Sequence, residues 1–138
     1  MNLERFIKAQ DAGEYERALK EISQGCKTGH WIWYVFPQMK GLGRSYMSDY
    51  YGINNIDEAK EYASHPLLGT RLREITKTLL NLPEEKTARD VLGNIDALKV
   101  KSCMTLFHIA TSEKLFIDVL NRFYNGATCL PTTKMLGM

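Results

Sequence analysis

Leu98-Lys99-Val100-Lys101-Ser102-Cys103-Met104-Thr105-Leu106-Phe107-His108 places apolar side chains on nearly every side of a helix. A helix that is apolar almost all round is a buried one, so this stretch reads as the centre of the fold. At about 100° per residue, Lys99 projects between Leu106 and Ala110, while Ser102 and Thr105 share a stripe with Leu98 and Ile109. A buried ammonium group is costly unless it is paired or set at a cavity. Lys99 is therefore a candidate for anion binding or catalysis. The plainer alternative is that its stem carries the charge out to solvent, and that Ser102 and Thr105 bond back to carbonyls one turn earlier. Lys101 and His108, close together on the other side, read as a solvated edge.

Working outward, Ser112 to Tyr124 is a second amphipathic helix with Phe116, Val119, Leu120 and Phe123 on one face and Gly126 as its C-cap. Before the central stretch, Thr87 with Asp90 caps one short turn that stops at Gly93, and the central helix runs from Asn94 to about Ala110. Leu68, Leu72, Ile75, Leu79 and Leu82 form an earlier helix closed by Leu82-Pro83. His65-Pro66 separates it from a helix that starts at Asn55 with Glu58. At the beginning, Leu3, Phe6 and Ile7 recur at helical spacing behind Asn2. Asp11 with Glu14 predicts a capping box for a helix carrying Tyr15, Ala18, Leu19 and Ile22. The charged runs Glu14 to Lys20 and Glu58 to Glu61 read as solvated helix faces. From Cys26 to Gly43 the helical period disappears, and the stretch is expected to be extended or irregular. The sum is about six or seven helices with one irregular aromatic insertion: an all-α or strongly α-dominated compact single domain spanning residues 1–138.

Composition sets outer limits. The chain has 138 residues, 44% of them apolar, which suits one globular core. No apolar run reaches the roughly 18 residues that span a bilayer, and Met1 to Phe6 lack the order of a secretory signal, so a cytoplasmic location is expected. Three widely spaced cysteines, Cys26, Cys103 and Cys129, make no closed disulfide framework, which fits a reducing compartment. The net charge is +2, from 18 basic and 16 acidic residues, too balanced for a protein whose main partner is duplex nucleic acid. A small anion needs only local positive charge and stays open as a partner. His30, His65 and His108 stand apart from one another and from paired carboxylates, so no metal site and no Ser/His/Asp arrangement is read, and no cofactor is called.

Two other segments carry chemistry. His30-Trp31-Ile32-Trp33-Tyr34-Val35-Phe36-Pro37-Gln38 holds both tryptophans of the chain. It is either a stacking platform for a planar ligand, with His30 and Gln38 as polar handles, or a buried segment that fills the core under the helices. Gly41-Leu42-Gly43-Arg44-Ser45 is either a phosphate cradle, with Arg44 and Ser45 as donors, or a turn leading into a helix that starts near Ser45. It lacks the third glycine of a dinucleotide loop and the Gly-Lys-Ser/Thr ending of a P-loop.

At these residues the chain resembles a bacterial family known as a domain of unknown function, DUF1810. The resemblance spans nearly the whole chain. It rests on Phe6 with Ala9-Gln10-Asp11, on His30-Trp31-Ile32-Trp33 running into Phe36-Pro37-Gln38, and on Gly41-Leu42-Gly43 with Ser45. Further on it rests on Tyr62 with His65-Pro66, Leu68-Gly69, Arg71-Leu72, Leu98-Lys99 with Ser102, Met104-Thr105-Leu106-Phe107, and Phe123-Tyr124 with Gly126. The family pattern usually has a serine where this chain has Cys103, which argues against an indispensable hydroxyl there. The resemblance implies an α-dominated single domain and supplies no activity. A looser resemblance, to the helical NADAR domains that act on ADP-ribose-type N-glycosides, is limited to the aromatic-proline segment and the two late helices. Their Trp-Gly and Gly-x-Asn signatures are absent here.

Together these readings point to a site for a small anionic ligand of nucleotide or ADP-ribose type. Trp31, Trp33, Gln38, Arg44, Ser45, Ser102 and Thr105 would bind, and His30 and Lys99 would serve as catalytic groups if the protein cleaves an N-glycosidic bond. The competing class is an interaction module that docks a partner through the exposed part of Trp31 to Phe36.

Overall fold

The computed structural model describes residues 2–138. Among them lie nine helices and no strand: α1 (Glu4–Gln10), α2 (Glu14–Ser23), α3 (Ile32–Val35), α4 (Tyr46–Tyr50), α5 (Ile56–Ser64), α6 (Leu68–Leu80), α7 (Ala88–Thr111), α8 (Lys114–Tyr124) and α9 (Leu130–Met135). The central helix is α7, packed against α5, α8 and α9, and every residue from Ser102 to Phe107 is buried. An aromatic chain runs through the middle. Phe6 meets Tyr62 edge-on at 5.0 Å, Tyr62 meets Phe107 at 5.5 Å, and Phe107 meets Phe116 at 6.0 Å. Such tilted pairs add to the burial of their rings, and they join α1, α5, α7 and α8 into one core.

Several helix ends follow the capping signals. Asn55 accepts the Glu58 amide at 2.9 Å, and Thr87 and Asp90 form a complete capping box. His65 closes α5 and starts α6, its Nδ1 accepting the amides of Leu67 at 3.1 Å and Leu68 at 3.2 Å. Other ends differ from the reading. The Asp11–Glu14 box does not form, because Gly13, at φ 85°, takes the N-cap position of α2. The turn capped by Thr87 does stop at Gly93, as the sequence predicts: a non-helical φ of 81° and ψ of 167° there separate it from the central segment of α7. Ser112, in the left-handed region, caps α7 instead of opening α8, and Asn125 rather than Gly126 caps α8.

Nine helices stand where six or seven were read. The additional short ones include α3, which makes the centre of the aromatic segment helical rather than extended, and α9. Glu58 is not on a solvated face: it is buried and paired with Arg5 at 3.0 Å. The excursion of the chain through α4 is closed at its base by a parallel bridge between Met39 and Ile53, with Lys40 N donating to Ile53 O and Ile53 N to Gln38 O, both at 2.9 Å. This bridge sets Gln38 and the loop after it against α7. No helix among the described residues is long and apolar enough to cross a membrane, and Cys26, Cys103 and Cys129 are free thiols.

Candidate functional site

Three parts of the chain far apart in sequence enclose a cleft of about 1060 Å³: the loop from Gln38 into the start of α4, the outer face of α7, and the turn from Gly126 to Pro131. That is at the upper end of small-molecule sites, which run to roughly 1,000 Å³. From α7 come Ile95, Leu98, Lys99, Lys101 and Ser102, and from the loop come Gln38, Leu42, Gly43, Arg44, Ser45 and Ser48. The helical spacing of 95, 98, 99 and 102 puts these side chains on one face. Ile95 and Leu98 on α7, with Leu130 opposite, leave large apolar surface in water, being 72%, 65% and 65% exposed. The polar lining has one sign of charge. Arg44, Lys99 and Lys101 face the cleft and no carboxylate lines it.

Local bonding explains how the loop comes so close. Ser45 caps α4, its Oγ accepting the Ser48 amide at 3.1 Å and donating to Ser48 Oγ at 3.1 Å. Ser48 in turn lies against Gly43, where an added Cβ would fall 2.3 Å from Ser48 Oγ, so a larger residue at 43 would push the loop off α4. Lys99 is half-buried, with its Nζ 5.3 Å from the Trp33 ring centre and 3.6 Å from Asp96. Asp96 is bound more closely by the half-buried Lys27, at 2.8 Å, so two ammonium groups share one carboxylate and a net positive charge remains beside the cleft.

Trp33, with Ile32, Phe36, Gln38, Ser48, Tyr51 and Lys99, lines a small chamber of about 10 Å³; Gln38, Ser48 and Lys99 face both it and the main cleft. Ser102 and Thr105 make the back-bonds foreseen for them, to Leu98 O at 3.1 Å and Lys101 O at 2.8 Å. They also anchor the far wall. Ser102 Oγ lies 3.1 Å from Cys129 Sγ, and Thr105 Oγ1 accepts the Cys129 amide at 2.9 Å.

Of the residues singled out in the sequence, Gln38, Arg44, Ser45, Lys99 and Ser102 therefore meet in the cleft and Trp33 in the adjoining chamber. Thr105 is buried behind it. Trp31 and His30 lie outside the lining. Trp31 is 1% exposed, with its indole N–H donating to Glu21 at 2.9 Å, and His30 is exposed to solvent. Glu21 is the anchor of this region. Burial pushes its carboxyl up, but the amides of Gly29 and Thr28 and the Trp31 indole more than offset that and hold it below the usual range.

Ser48, Lys101 and the whole turn from Gly126 to Pro131 line the cleft as well, beyond the residues to which the sequence points. Lys101 was placed on a solvated edge, yet it is half-buried and faces the cleft. His108 was placed there too, and its Nδ1 is buried without a partner. The available signal was Ile95 and Leu98, two apolar residues one turn apart outside the main core stripe.

The family model described as "Protein of unknown function (DUF1810)" matches residues 1–136. The chain belongs to the DUF1810 family. The conserved hypothetical protein Rv1873 from Mycobacterium tuberculosis, known from a crystal structure, is similar over 99% of this chain and 96% of its own, with 38% identity and a TM-score of 0.95. No curated protein matches the chain. The DUF1810 fold is thus shared across 38% identity, and its chemistry has to be argued from the cleft.

Proposed function

We propose that this DUF1810 protein binds a small anionic ligand of nucleotide or ADP-ribose type in the cleft between the loop from Gln38, α7 and the turn before α9. The observation that carries the reading is the concentration of Arg44, Lys99 and Lys101 in a cleft with no lining carboxylate. Ligand sites combine apolar walls with a few convergent polar groups, and Leu42, Ile95, Leu98 and Leu130 supply such walls. A ring between these apolar side chains, with its phosphate toward the cations, satisfies both parts of the lining.

Cleavage of an N-glycosidic bond is the sharper form of this reading, and the lining supports it less well. A hydrolase of that kind needs a general base close to the reacting carbon. Neither a carboxylate nor a histidine lines the cleft, and His30 lies outside it. Binding is the better-supported function. The interaction-module reading loses most of its surface, since Trp31, Ile32, Tyr34, Val35 and Phe36 are all buried.

A thermal-shift screen against AMP, NAD, ADP-ribose and sugar phosphates tests the proposal. A ligand at a hundred times its Kd stabilises the folded state by about 2.7 kcal/mol. We expect at least one of these anions to raise the melting temperature of the parent protein, and Lys99→Ala and Arg44→Ala each to weaken binding by about tenfold, or about 1.4 kcal/mol. Stabilisation that survives both substitutions, or none by any of the compounds, overturns it.

A further inference from the structure

The inner end of the cleft is unusual in its hydrogen-bonding balance. Trp33 Nε1 is buried and has no partner, although a buried indole N–H ordinarily finds an acceptor. The small chamber that Trp33 lines is also lined by four residues that can donate: Gln38 with its amide, Ser48 and Tyr51 with their hydroxyls, and Lys99 with its ammonium group. Their capacity is largely uncommitted. The Gln38 side chain makes no hydrogen bond among the described residues, and Ser48 Oγ already accepts the Ser45 proton at 3.1 Å, so its own proton is left to donate. Lys99 has three protons, and its one carboxylate neighbour, Asp96, is at 3.6 Å and held more closely by Lys27.

No carboxylate lines the chamber, whose volume of about 10 Å³ is the space of one oxygen atom or one water. Gln38, Ser48 and Lys99 also face the main cleft, so the chamber is reached from there. We propose that this chamber is an oxyanion subsite, in which one terminal oxygen of a phosphoryl group on the bound ligand accepts from Trp33 Nε1, Gln38 and Ser48 and lies against the Lys99 charge. The proposal rests on the ligand-binding reading above and deepens it by fixing which end of the ligand goes inward: phosphate toward Trp33, apolar body outward between Leu98 and Leu130. A pocket with a buried unpaired indole N–H, an ammonium group and no carboxylate discriminates strongly, because a ligand without the oxygen leaves the buried donors unpaired.

Indole N–H signals of the 15N-labelled protein test this directly, since the chain has only two tryptophans. Trp33→Phe identifies the Trp33 signal by its loss. On titration with AMP and with inorganic phosphate, the Trp33 signal is expected to move downfield saturably while the Trp31 signal, bound to Glu21, stays in place. Adenosine, which lacks the phosphate, should leave both unmoved. Gln38→Met is expected to weaken AMP binding severalfold and Lys99→Met about tenfold, with the unmoved Trp31 signal reporting that each variant is folded. Stabilisation by AMP with a stationary Trp33 signal overturns the subsite and leaves the binding reading standing. Equal movement with adenosine assigns the chamber to the base and also overturns it. No response to AMP or phosphate by either measurement removes both.

Discussion

Glu21 Oε1 alone accepts three N–H groups, from Thr28 at 2.7 Å, Gly29 at 2.8 Å and Trp31 at 2.9 Å. This one atom fixes the turn before α3 and the indole of Trp31, which explains why Trp31 is core. The lowered pKa of Glu21 gives the sign of its pH dependence. A carboxyl that ionises more readily when folded contributes stability above its unfolded pKa of roughly 4.3, and that contribution is lost as pH falls through the lower folded value. Glu21→Gln is expected to cost about 2 kcal/mol at pH 7, in the range for hydrogen bonds to a charged group. Urea unfolding at a series of pH values should show the gap between parent and variant closing as pH falls toward 3. A gap that stays constant would mean that the charge contributes nothing. At this scale the sequence told much about the cleft and little about His30. Lys99 was legible because a cation among apolar neighbours is costly anywhere except at a cavity or beside a partner, and here it has both. His30 carried no comparable constraint, and Lys101 misled because its helix face is covered only by the distant turn at Gly126 to Pro131.

Helix starts were readable where a side chain does the capping, at Asn55 and Thr87, and unreadable where the backbone does it, at Gly13. The helices α3 and α9 span only 4 and 6 residues, less than the two turns needed for an apolar period to register, whereas the 5-residue α4 was marked by its cap at Ser45. The aromatic segment hid its turn for a second reason: it is covered on all sides, so no polar face marks the period. Gly93 shows the opposite case, a break legible in the sequence and present in the structure, where two helical segments of α7 meet at a kink. Its φ of 81° with ψ of 167° belongs to a region essentially reserved for glycine, and an added Cβ there meets nothing within 4 Å. The cost of Gly93→Ala is therefore backbone strain without crowding, and it is expected to be about 1–3 kcal/mol. A lower urea midpoint with an unchanged denaturant slope would bear this out. An unchanged midpoint would show that the backbone at residue 93 relaxes into helix freely.

For the whole molecule, the cleft is a product of tertiary assembly, which is why its walls could not be joined from sequence. Gln38 and Ser48 are brought to α7 by the Met39–Ile53 bridge, and the far wall by two bonds to Cys129. The second bond has a consequence that the lining residues alone would not reveal. Thr105 does not face the cleft, yet its Oγ1 is the acceptor for the Cys129 amide in the turn that does. Thr105→Val keeps the shape and removes that acceptor, leaving a half-buried N–H without its partner at a cost of about 1–2 kcal/mol. Because only the turn and α9 depend on this bond, the loss should be local. Hydrogen exchange is expected to speed up for amides 126–135 while α6 is unaffected, and binding of any anion held in the cleft should weaken severalfold with Arg44 and Lys99 still in place. If exchange at 126–135 stays at the parent rate, the wall is held by the packing of α9 on α7 instead. The cleft would then be a rigid feature of the fold, independent of its hydrogen bonds.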